Sequence, residues 1–317
     1  MTATIDRSAT TTGGSSAASP STGGSPDATP PAPRPPRAPR ARRHRSPGRI
    51  ALDVVAVAFG LLWLFPVYWM VDAAFLTPAQ LSSRTPTWIP IGGTVEHFAR
   101  VLGDARFWSA LRMSTLIALV VVAGSLAFGV VAAFALSRFR FRGRTSMIVA
   151  VLVIQMIPAE ALFISQYRML DGWGLLNSVL GLIVLYLAAN VPFTIWVLKG
   201  FVDGIPVELE EAAMLDGCSR VGAFRRVTLP LLGSGLVASS IFSFLAAWNE
   251  YTLALVTLSA DDSRTLPLWL QGFRGQMQET DWGGIMAGST LMALPVVVLF
   301  LIVQKRMAMG LTAGAVK

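Results

Sequence analysis

Glu211-Ala212-Ala213-Met214-Leu215-Asp216-Gly217, closed by Leu229-Pro230, is a short acidic, alanine-rich stretch in a charged loop between two apolar segments. Upstream, Gly204-Ile205-Pro206 reads as a helix start, with Pro206 suited to the first helical position. Glu208, Glu210 and Glu211 then fall in the first turns, where negative charge complements the helix dipole. Asp216-Gly217 reads as the stop, because glycine takes the left-handed backbone that ends a helix. Ser219 is placed to cap a second short helix through Phe224 and Arg226, and Pro230 marks the return to apolar sequence. The stretch from about 200 to 230 is therefore expected to form a helix–turn–helix elbow along a membrane surface. Ala212 and Ala213 leave little bulk on it, so another protein's groove can approach the backbone closely. Val207, Met214 and Leu215, with the glutamates, would then give a helix-in-groove contact with electrostatic register. The competing reading is an amphipathic helix resting on lipid headgroups. An anionic leaflet would repel the glutamates, which favours docking.

The rest of the chain explains why the elbow stands out. Of 317 residues, 53% are hydrophobic and 14% charged, and the mean hydropathy of +0.58 is too high for a soluble globular protein. Six apolar segments, each bounded by charge, span residues 54–71, 113–137, 146–167, 172–198, 227–249 and 282–304. The fifth is expected to extend toward Leu258, and the third is interrupted only by Glu160. Each is long enough to cross about 30 Å of hydrocarbon as a helix. Pro66, Pro158, Pro192 and Pro295 fall inside four of them and read as bends, either around a path or as packing kinks. Residues 1–49 are rich in Ala, Pro, Ser, Thr, Gly and Arg with no apolar period, the composition of a disordered tail. No short apolar run with a cleavage site stands in it, so it does not read as a signal peptide.

Lysine and arginine set the orientation. With the N-terminus inside, 19 of the 26 basic residues lie on the inner side, the Arg138, Arg140, Arg142 and Arg144 cluster being the strongest signal outside the tail. Both termini and the elbow are then expected to be cytoplasmic. The net charge of +8 is thus topology-setting rather than a nucleic-acid face. The Arg34–Arg49 cluster reads as an orientation signal or as a contact with anionic lipid.

Catalytic chemistry is thin. One cysteine, Cys218, excludes an internal disulfide, and His44 and His97 are too dispersed for a metal site or a Ser-His-Asp set. The three lysines, Lys199, Lys305 and Lys317, lie in no phosphate-binding loop, so any nucleotide hydrolysis belongs to another chain and no bound cofactor is expected. Polar candidates for a path through the membrane are Gln155, Glu160, Asn190, Asn249 and Glu250. Glu160 reads either as a proton-relay carboxylate or as a helix-bend or pore-lining residue. Asn249 and Glu250 read equally as substrate contacts or as partners of helix neighbours. Trp108 and Trp282 read as interfacial anchors.

The elbow resembles the EAA loop of permease subunits of binding-protein-dependent ABC importers, through Glu211-Ala212-Ala213, Asp216-Gly217 and Leu229-Pro230. Beyond it, Asn190-Val191-Pro192-Phe193-Thr194-Ile195-Trp196, Trp248-Asn249-Glu250-Tyr251, Thr265-Leu266-Pro267 and Gly310-Leu311-Thr312-Ala313-Gly314-Ala315-Val316-Lys317 resemble the carbohydrate, MalG-type branch. The likeness covers about residues 50–317. It implies an all-α integral membrane protein of six transmembrane helices with the type I importer fold. It also implies that Glu208, Glu211, Ala212, Ala213, Met214, Asp216, Gly217, Leu229 and Pro230 form a coupling helix and its surround, seated in a cleft of an ATPase subunit. The implied partners are a second homologous permease, two ATPase subunits carrying ATP and Mg, and an external solute-binding protein. The C-terminal tail would reach the ATPase interface, and a loop at roughly 259–282 would probe the binding protein. An importer of another solute class, such as polyamines or phosphonates, is the alternative within the family. An ion-coupled secondary transporter built around Glu160 is the alternative outside it.

Overall fold

The computed structural model describes residues 47–259, 264–275 and 280–314. The chain divides into two units, 1–55 and 56–317. Of the first, only the start of the first helix is described, and the expected tail of residues 1–49 lies almost wholly outside the described residues.

Among the described residues the secondary structure is helical throughout. Helix α1 (Pro47–Ala73) is followed by the short α2 (Pro78–Leu81) and α3 (Glu96–Gly103). Helix α4 (Ala105–Arg138) begins eight residues before the apolar run expected at 113, because the Asp104 side chain caps it by accepting from Arg106 N. Next come α5 (Arg144–Gln155), α6 (Phe163–Gly172) and α7 (Val179–Asp203). The elbow holds α8 (Val207–Leu215), α9 (Arg220–Ala223) and α10 (Leu229–Leu231). Helices α11 (Gly233–Asn249), α12 (Thr252–Thr257), α13 (Leu266–Leu270) and α14 (Trp282–Gly314) complete the chain. Four helices, α1, α4, α7 and α14, are long and apolar enough to span a membrane, and two bent pairs raise the number to six.

The two bent pairs depart from the expected segments. The third segment is broken: α5 stops at Gln155, Pro158 is extended, a 3-10 turn runs Ala159–Leu162, and α6 leaves at 92° to α5. Proline has no N–H to donate and crowds the preceding turn, so the break falls there. Pro66, Pro192 and Pro295, by contrast, are absorbed within continuous helices. The fifth segment turns by 69° between the elbow and α11 and ends at Asn249 instead of running on toward Leu258. Glu250 is extended there, and its carboxylate accepts from Leu253 N at 2.7 Å and Ala254 N at 3.2 Å, which starts α12 as a separate helix. The fourth segment starts late as well. Left-handed Gly174 and Asn177 turn the chain, and Ser178 caps α7 through Leu180 N.

Helix α4 shows how an apolar helix divides its surface. Phe107, Ala110, Ser114, Ile117, Val121, Ser125, Gly129, Ala133 and Leu136 recur at three- to four-residue spacing and are buried. Leu119, Phe128 and Val131, between them, are exposed. Small residues dominate the buried stripe from Ser125 onward, which is what close packing demands where lipid is as apolar as the side chains. Gly129 is the tightest point: a Cβ there would lie 2.5 Å from Thr194 Cγ2 of α7. The largest buried side chain, Trp248 of α11, donates to Met292 O of α14 at 3.2 Å. Ser114 Oγ accepts from Leu266 N at 2.8 Å, tying α13 to α4.

Candidate functional site

The elbow forms where its sequence places it. Helix α8 starts after Pro206, which occupies the capping position rather than the first helical one, with φ −56° and ψ 132°. Glu208 and Glu210 stand in its first turn. The helix ends as expected: Gly217 sits at φ 89°, with Asp216 N bonded to Ala212 O and Cys218 N to Ala213 O, both at 3.0 Å. Ser219 Oγ accepts from Gly222 N at 3.1 Å and caps α9. A π-helical turn, Phe224–Thr228, then leads into Leu229-Pro230.

One acidic side chain differs from the rest. Glu210 is buried, and its Oε1 accepts from Arg138 Nε at 2.7 Å and from Thr228 Oγ1 at 2.8 Å. The same guanidinium donates from Nη2 to Ile205 O at 2.8 Å. Arg138 closes α4, where a cation also meets the negative end of the helix dipole. Ile205, Phe224 and Leu229 pack beneath this clamp on Val130, Ala133, Leu198, Val202 and Leu232, and the Phe134 and Phe224 rings meet at 4.6 Å. The inner face of the elbow is thus fixed to the ends of α4 and α7 by charge, hydrogen bonds and packing together.

The outer face is open. Glu208, Glu211, Ala212, Asp216, Gly217 and Pro230 are exposed, and Ala213, Met214 and Leu229 are half-buried. Leu215 is 89% exposed and Val221 65%, with Leu209 and Val207 also exposed. Exposed leucine thus stands beside exposed glutamate on a helix whose other side is locked. Sequence reading missed the clamp. It treated Glu210 as one of three equivalent first-turn acids and Arg138 as a topology charge. A signal was present: Glu210, Ala213 and Met214 share one helix face at i, i+3, i+4, and that is the buried face.

The path candidates separate into two groups. Glu160, Asn190 and Glu250 line one groove of about 410 Å³, together with Phe163, Phe193 and Phe242. Gln155 and Asn249 lie outside this lining. Gln155 is exposed at the end of α5, and Asn249 Nδ2 donates to Leu245 O one turn back at 2.9 Å. Glu250 pairs with helix neighbours, bonding Leu253 N at the start of α12 and accepting from Tyr186 OH at 2.5 Å, while it lines the groove. Tyr186, fully buried on α7, is a further polar member that the apolar run around it concealed.

Comparison with known proteins agrees with this geometry. The family model described as "Binding-protein-dependent transport system inner membrane component" matches residues 125–311, which include the elbow and every lining residue of the groove. The chain is 43% identical over 270 residues to the diacetylchitobiose uptake system permease protein DasC of Streptomyces coelicolor, covering 85% of this chain and 98% of that one. It is 33% identical to the trehalose/maltose transport system permease protein MalG of Thermococcus litoralis, covering 85% and 97%. It is 34% identical to the trehalose transport system permease protein SugB of Mycobacterium tuberculosis, covering 84% and 96%. In three dimensions it superimposes on a chain of a bacterial ABC transporter involved in the import of the acidic polysaccharide alginate, with a TM-score of 0.71 at 23% identity, over 84% of this chain and 99% of that one. Six apolar spans, two of them bent, and an elbow clamped on one side and open on the other are the type I importer architecture, and the chain belongs to the inner-membrane components of binding-protein-dependent transport systems.

Proposed function

We propose that this chain is one of two permease subunits of an ABC importer that carries a mono- or oligosaccharide across the cell membrane. The observation that carries the reading is the elbow, whose inner face is fixed and whose acidic and apolar outer face is left uncovered. Its outer face docks in a cleft of an ATPase subunit, which holds the ATP and Mg that this chain does not bind. ATP-driven closure of two such subunits moves α8 as a lever. The clamp from Glu210 to Arg138 passes that movement to α4, and the loaded external binding protein biases the same two states from the other side. Both termini and the elbow face the cytoplasm, with the Arg138–Arg144 cluster as the orienting charge. The sugar assignment is supported by relatives named for diacetylchitobiose, trehalose/maltose and trehalose.

Affinity purification of the tagged chain from its own membranes, followed by reconstitution with the proteins that accompany it, tests this. Co-purification of a second permease and an ATPase subunit, with sugar uptake that needs ATP, is the expected result. A chain that purifies alone and transports without ATP overturns the reading. Glu211→Lys is expected to abolish uptake while leaving membrane insertion intact, since it reverses an exposed charge on the docking face. Normal uptake by a well-inserted mutant would remove the elbow from the mechanism.

A further inference from the structure

The groove lined by Glu160, Asn190 and Glu250 has a chemical bias. At about 410 Å³ it falls within the size range of small-molecule sites. Its charged groups are all of one sign. The Glu160 carboxylate makes no hydrogen bond or ion pair among the described residues. Asn190 is nine-tenths buried and its Nδ2 donates to Tyr186 O at 2.8 Å, which leaves Oδ1 and the second N–H of the amide open. Glu250 presents acceptor oxygens only. Asn190 and the Thr252 hydroxyl, which also lines the groove, can donate as well as accept, so the bias comes from the two carboxylates and favours ligands with donors, as hydroxyls and amide N–H groups are.

The rest of the wall is aromatic. Phe193 and Phe242 meet edge to face at 5.6 Å, and Phe163 stands on the Glu160 side. Ring faces of this kind receive the C–H face of a pyranose through their negative quadrupole. Among the described residues no lysine or arginine lines the groove. A carboxylate-bearing sugar would meet two like charges with no counter-ion among the lining residues. Recognition that works by unfavourable charge against the wrong ligand is a common basis of selectivity.

We propose that this groove is a sugar subsite of the permease itself and that its carboxylates admit uncharged sugars while rejecting uronates. This rests on the importer reading above. It also distinguishes this chain from the structural relative named for the acidic polysaccharide alginate.

The test uses the whole reconstituted transporter. In a Cys218→Ala background, Phe242→Cys places a single thiol at the exposed edge of the groove. Its rate of labelling by a maleimide is measured in the detergent-purified complex without binding protein, so that the binding protein's own selectivity does not enter. Maltose, trehalose or diacetylchitobiose is expected to slow labelling, and a diuronate disaccharide to leave it unchanged. Adding Glu160→Gln is expected to strengthen protection by the diuronate on the order of tenfold, the gain from removing one like charge at close range. Protection by the diuronate equal to that by neutral sugar in the parent complex overturns the proposal. So does the absence of protection by any sugar, as when the partner permease fills the groove, if the same complex imports sugar in proteoliposomes; the importer reading would then stand. A complex with Phe242 intact that imports no sugar overturns both.

Discussion

The elbow and the groove are each built around a glutamate, and the two glutamates are treated in opposite ways. Glu210 is buried and bonded, with Arg138 and Thr228 on one oxygen and the same arginine bonded to Ile205 O. Glu160 is exposed in a break between helices and makes no bond among the described residues. A transmission part must hold its geometry while force passes through it, so its polar groups are satisfied internally. A binding part must keep polar groups available until a ligand arrives. Glu250 marks the limit of the contrast, since it accepts three hydrogen bonds and still lines the groove.

The largest effect belongs to the clamp. Arg138→Ala or Glu210→Ala leaves the other charge buried without its partner, a loss of about 3–5 kcal/mol for such pairs. Thermal unfolding of the purified complex should show it, accompanied by loss of transport. Replacing both residues with apolar side chains of similar size is expected to restore much of the stability, because no orphaned charge remains. If the double replacement also restores full transport, the clamp is a structural staple and not a transmission element.

Gly217 gives a smaller effect on the same element. Its φ of 89° lies in the left-handed region, where a Cβ costs about 1–2 kcal/mol. Gly217→Ala is therefore expected to loosen the end of α8, raising hydrogen exchange at Asp216–Cys218 while leaving α4 and α7 unchanged. Equal exchange across the turn would show that the left-handed cap does not set the elbow's geometry.

How far the sequence carried these two regions follows from what each kind of signal encodes. The elbow was legible because its start, stop and caps are local: Pro206, Gly217 and Ser219 act within one turn of themselves. The spans were legible through composition. The break at Pro158 was foreseen only as a bend, since nothing local distinguishes a proline that a helix absorbs, such as Pro192, from one that ends it. The clamp was not legible, because Arg138 and Glu210 are 72 positions apart and each had a sufficient local explanation. In the groove, residue type found Glu160, Asn190 and Glu250, but only tertiary packing excludes Gln155 and Asn249 from it.

The smallest expected effect is the one that bears hardest on the contrast. Glu160→Gln keeps the shape of the side chain and removes its charge. If Glu160 were a structural group like Glu210, this change would cost stability through a lost charge-assisted bond, about 1.5–3 kcal/mol. With no such bond present, the change in stability is expected to stay within about 0.5 kcal/mol, the range of surface substitutions away from special features. Glu210→Gln in the same assay provides the scale, because it weakens a bond that Arg138 and Thr228 both make. A Glu160 variant as destabilised as the Glu210 variant would place the residue in the scaffold. A silent one whose sugar protection changes would place it in the path, where an unsatisfied carboxylate has a use.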